Sequence, residues 1–104
     1  MSLTKQFLKS KPICKTTFTL PASIVGEAKS VVLLGDFNNW DRDKGVILKK
    51  GKDGSFKASL ELETGKEYEY RFLLDESRWE NDDLADKYIQ TSYGVENSVV
   101  SVIV

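Results

Sequence analysis

The chain has no histidine in its 104 residues, only one cysteine and two prolines, and no run approaching the roughly 20 apolar residues a membrane span requires. The lack of imidazole removes the commonest general base, the commonest metal ligand and the usual pH switch together. The lone Cys14 excludes an internal disulfide and, without partners, a zinc site. The fold must therefore be held by its core, and a chain of this size can bury one. A single thiol and no staple suit a reducing compartment. The lysines near the start are followed by no apolar stretch of the secretory type, so the expected location is cytoplasmic.

An excess of one charge is missing too. Fifteen Lys and Arg stand against 16 Asp and Glu, a net charge of −1, which leaves no basic field for nucleic acid. Neither nucleic acid nor a membrane is expected as a partner. The length excludes a (β/α)₈ barrel, which needs about 250 residues. Serines are present, but no G-x-S-x-G and no Gly-rich phosphate loop, and no cofactor is implied.

Alternation of period two is what the chain does have. Residues 1–12 read as a basic N-terminal arm carrying Lys5, Lys9 and Lys11, in which Leu3, Phe7 and Leu8 fit one face of a short helix or a packed arm. From 13 to 104 the chain reads as one module. Cys14, Phe18 and Leu20 face one way and Lys15, Thr17 and Thr19 the other. Ser30 to Leu34 reads as a strand buried on both sides, and Val46 to Lys50 as another short run. Asp53-Gly54 predicts a hairpin turn. Phe56, Ala58, Leu60 and Leu62 alternate with polar residues, Thr64-Gly65 turns the chain, and Tyr68, Tyr70, Phe72 and Leu74 alternate with Glu67, Glu69, Arg71 and Leu73. That pattern puts Arg71 on a water-facing sheet surface. Ser98 to Val104 is an apolar strand that must be locked inside a sheet. The prediction is an all-β, immunoglobulin-like antiparallel sandwich of six to eight strands.

Carboxylate chemistry finds little support. Asp41 and Asp43 open like a calcium loop, but Gly45, Val46 and Lys52 occupy its fifth, sixth and twelfth positions. Asp82, Asp83 and Asp86 lie in a polar stretch that reads as a solvated loop face; a glycosidase pair there is the weakest reading. The informative residues are two tryptophans among polar neighbours. Trp40 follows Gly35-Asp36-Phe37-Asn38-Asn39, where the asparagines suit left-handed turn geometry, and Trp79 lies between Ser77-Arg78 and Glu80-Asn81. One such tryptophan reads as a lid on the core; two together favour a binding surface. An indole can bury the C–H face of a pyranose while Arg71 and Asn97 hydrogen-bond its hydroxyls.

The run Gly35-Asp36-Phe37-Asn38-Asn39-Trp40, the strand Tyr68 to Asp75, Trp79, and the ending Tyr93-Gly94-Val95-Glu96-Asn97-Ser98-Val99-Val100 resemble a family 48 carbohydrate-binding module. This is the glycogen-binding type of the AMP-activated protein kinase β subunit, similar also to the N-terminal early set domains of isoamylases and branching enzymes. The resemblance implies non-catalytic binding of α-1,4-linked glucan such as glycogen, starch or a maltooligosaccharide. It implies Trp40 and Trp79 as stacking platforms, Arg71 in place of a family lysine, and Asn97 as the family asparagine. Tyr93 stands where glycogen-binding members carry a leucine, and Val95, which has no hydrogen-bond donor on its side chain, where they carry a threonine. The alternative is a protein-interaction or regulatory domain of the same fold, associated with a separate family 13 glycoside hydrolase or a kinase and with a degenerate sugar site.

Overall fold

The alternating segments extend because β-branched and aromatic residues at every second position give each strand one face to bury. The computed structural model describes residues 3–92 and 94–103. Along the chain run β1 (Leu3–Phe7), β2 (Ile13–Leu20), the single helical turn α1 (Ala22–Val25), β3 (Val31–Gly35), β4 (Val46–Ile47), β5 (Lys49–Lys50), β6 (Phe56–Glu63), β7 (Lys66–Leu74), β8 (Arg78–Glu80), β9 (Lys87–Gln90) and β10 (Glu96–Val102). Two antiparallel sheets stack as a sandwich. One has the order β1-β2-β6-β5; the other has the order β4-β3-β7-β10-β9, with β8 also paired to β7. The described strands outnumber the six to eight expected because β4, β5 and β8 are pieces of two or three residues, too short for alternation to register.

The core is the set of inward faces that alternation marks. Phe18 and Leu20 of β2, Leu33 of β3, Tyr70, Phe72 and Leu74 of β7, and Val100 and Val102 of β10 are all buried. Phe18 meets Tyr70 edge-on at 5.0 Å between ring centroids. β10 is paired on both sides, by β7 and by β9, which closes the apolar strand against aggregation.

Several expectations need correcting. Of the two readings of the N-terminal arm, the packed arm holds and the helix does not, since Leu3–Phe7 is a strand. It pairs with β2 in a register that places Leu3, Lys5 and Phe7 opposite the inward residues Phe18, Thr16 and Cys14. Lys5 occupies an inward position at the sandwich edge, and its ammonium reaches across to Asp86 and to the Ser101 carbonyl. The run from Val46 to Lys50 is two strands in different sheets, divided at the buried Leu48, whose N–H donates to the Val31 carbonyl. Thr64-Gly65 does turn the chain, with Gly65 at φ 84°. It carries the chain from one sheet to the other: the Thr64 N–H donates to the Pro12 carbonyl and the Gly65 N–H to that of Val102. Asp53-Gly54 does make the β5–β6 turn, with Gly54 at φ 86°.

Asp82 departs furthest from expectation. It is fully buried. Its carboxylate accepts from the Tyr70 hydroxyl at 2.7 Å and from the Leu84 N–H at 3.0 Å. Burial, with the Asp82 charge next to it, raises the Tyr70 phenol well above the ordinary tyrosine range. Asp86 is bound to Lys5 and to the Ser101 N–H. Asp86 thus ties β1 of one sheet to β10 of the other, and Asp82 is held against the larger sheet, while Asp83 is exposed as expected.

Candidate carbohydrate site

The outward face of the larger sheet carries the site, and β3 enters it through Gly35. A Cβ there would stand 2.4 Å from the Glu69 carbonyl, so the close approach to β7 admits only glycine. Asp36 and the residues after it then turn back over the sheet. Asn38 locks the turn: its Oδ1 accepts from the Gly35 N–H at 3.0 Å and its Nδ2 donates to the Leu33 carbonyl at 3.2 Å. Asn39 and Trp40 take left-handed φ values of 57° and 58°. Phe37 drops inward to Phe18 and Tyr68. The loop runs so close to β3 that a Cβ on Gly45 would stand 2.3 Å from Val32 Cγ1. This explains why β3 is apolar on both faces.

Asp36 fastens the arrangement from its other end. Its Oδ2 accepts the Glu69 N–H at 2.8 Å, and its Oδ1 accepts the Trp40 indole N–H at 3.1 Å. One carboxylate therefore fixes both the sheet and the ring.

Trp79 arrives by a different route. β7 ends in a tight turn through Asp75 and Glu76, with φ of 50° and 62°, and β8 runs back along it. The turn is pinned by Asp75, whose Oδ1 accepts from the N–H groups of Lys29 and Ser30; those bonds lower its carboxyl below the ordinary range. The register sets Trp79 opposite Leu73, which is only 2% exposed, so Leu73 does not join the water-facing set expected of its strand face. Trp79 thus stands on a strand, not in a loop, at 36% exposure. Trp40 is half-buried.

These elements bring together residues far apart in the chain. The two indoles lie 6.4 Å apart between centroids, tilted by 55°. The Arg71 guanidinium lies 4.6 Å from the Trp79 ring centroid and 5.8 Å from that of Trp40. Arg71, expected fully at a water face, is half-buried in this cluster. Arg42 adds a second cation 5.8 Å from the Trp79 ring. Asn97 lies one step beyond the register pairing Ser98 with Tyr70, which sets it across from Arg71; its Nδ2 donates to Glu69 Oε1 at 3.0 Å. Tyr93 lies outside the described residues. Val95 is exposed and lines, with Asn81, Tyr88, Gln90, Gly94 and Glu96, a shallow groove of about 580 Å³.

Sequence reasoning missed Asp36, Arg42 and Glu69 as members of the site. Asp36 sits within the quoted turn motif, but nothing in the sequence tells that its carboxylate grips an indole. Glu69 was hidden among the alternating polar residues of its strand.

No curated protein matches the chain in a sequence search. The family profile described as the glycogen recognition site of AMP-activated protein kinase matches residues 17–103, from the second half of β2 to the residue after β10. The match covers most of the chain, and the chain belongs to the family of the glycogen recognition site of AMP-activated protein kinase.

Proposed function

We propose that this domain binds α-1,4-linked glucan without catalysis, at the cluster formed by Trp40, Arg71, Trp79 and Asn97. The family supports carbohydrate recognition, and the observation that supports this particular place is the pair of indoles 6.4 Å apart with one guanidinium over both. The apolar ring faces suit the C–H face of glucose, while Arg71 and Asn97 supply polar atoms for its hydroxyls. Such a shallow surface touches few sugar units, so the expected Kd lies between about micromolar and millimolar.

Electrophoresis through a gel containing glycogen tests the reading. The wild-type chain is retarded and Trp79→Ala is not, while both migrate equally without glycogen. Equal retardation of the two proteins overturns the proposed site. One observation favours a second reading. The rings are tilted rather than coplanar, and the Trp40 N–H is already committed to Asp36, which narrows the surface open to a sugar. On that reading the domain docks on a separate glucan-processing enzyme or kinase, and the wild-type chain is not retarded at all.

A further inference from the structure

Asn97 is 8% exposed, and its amide divides two environments. Nδ2 is held by Glu69 Oε1, whereas Oδ1 is enclosed with no hydrogen-bond partner. This orientation is dictated by charge. An ionised carboxylate only accepts, so the amide must turn its NH₂ toward Glu69 and its oxygen away. Across the strand pair, Arg71 Nε is likewise enclosed without a partner. One unmet group is an acceptor and the other a donor, on neighbouring side chains of one sheet face. Buried polar groups are nearly always paired, and two unmet ones side by side point to a ligand atom. A hydroxyl both donates and accepts; a phosphate or carboxylate oxygen only accepts and would be set against Asn97 Oδ1 and Glu69.

We propose that Glu69 is a positioning residue of this site: by gripping the Asn97 amide through its NH₂, it presents Oδ1 as an acceptor beside the Arg71 donor and so selects a neutral, hydroxyl-bearing ligand. The inference rests on the glucan-binding reading above. One sugar hydroxyl donates to Asn97 Oδ1 and accepts from Arg71 Nε. Arg71, half-buried against the indoles, is the side chain that shifts to admit it.

The test uses maltoheptaose titrations of the whole chain. Glu69→Ala releases the amide to turn either way and weakens binding about tenfold. Adding Asn97→Asp to Glu69→Ala restores binding to within about threefold of wild type, because both carboxylate oxygens accept and none needs holding. A merely structural role for Glu69 predicts no such rescue. Wild-type affinity in Glu69→Ala, or a double variant no better than the single one, overturns the proposal. A second readout is independent of sugar: hydrogen exchange of the Asn97 side-chain NH₂ by NMR is slow in wild type and fast in Glu69→Ala, with the backbone spectrum otherwise retained. If no variant binds glucan but this difference is seen, the glucan reading falls and the hold on the amide stands. If the NH₂ exchanges equally fast in both proteins, the positioning role falls.

Discussion

At the scale of single residues, the turn motif before Trp40 is a piece of steric and hydrogen-bond engineering before it is a ligand site. Gly35 is there because β7 passes too closely for a side chain. Gly35→Ala forces the two strands apart and is expected to cost about 2–4 kcal/mol, measured by urea unfolding. Asp36 has a double role, and Asp36→Ala removes acceptors from both the Glu69 N–H and the Trp40 indole. The expected loss is about 1–3 kcal/mol, together with weaker glucan binding and a shift of the Trp40 indole N–H resonance. Such roles were only partly legible. Asn39 in a left-handed turn was readable, because asparagine tolerates that conformation; Trp40 sharing it was not, since a bulky residue there is uncommon. Asp82 misled in the other direction. A run of acidic residues reads as solvated, and only the tertiary fold reveals that one of them is buried against a tyrosine hydroxyl. Tyr70→Phe removes that charge-assisted bond and should destabilise the domain by about 1.5–3 kcal/mol in urea unfolding.

At the scale of elements, the long strands declared themselves through alternation, and the exceptions have physical causes. β1 escaped because Lys5 takes an inward position, paired with Asp86, and breaks the apolar period. β8 escaped because three residues cannot show a period, although it carries Trp79. The turn that launches β8 holds a glutamate in a backbone conformation ill suited to it. Glu76 sits at φ 62°, where glycine is at ease and a glutamate is strained. Glu76→Gly should therefore raise stability by up to about 1 kcal/mol, seen as a higher Tm. Asp75 acts on the same turn through pH. Its carboxyl is lowered in the folded state by the bonds from Lys29 and Ser30, so its stabilisation is complete above the unfolded value near 3.8 and is lost as pH falls through the lower folded value. Asp75→Asn should flatten the fall in stability between about pH 4 and pH 2 relative to wild type, as followed by thermal unfolding across that range.

At the scale of the whole molecule, the sandwich gathers the residues of the proposed glucan site on the outer face of its larger sheet. Trp40, Arg71 and Trp79 come from three segments, and no local pattern joins them. The register of β3, β7 and β8 does so, pairing Leu34 with Arg71 and Leu73 with Trp79. Residue chemistry by itself pointed to two indoles in polar surroundings as a sugar-binding surface with Arg71 and Asn97 beside them, and the resemblance to a family added α-1,4-linked glucan as the ligand class. The support around them, from Asp36 and Glu69, emerged only with the fold. The most direct measurement is an NMR titration of the ¹⁵N-labelled chain with maltoheptaose, following the two indole N–H resonances. Both should move saturably and yield one common Kd; two unmoved resonances at millimolar sugar would contradict the account.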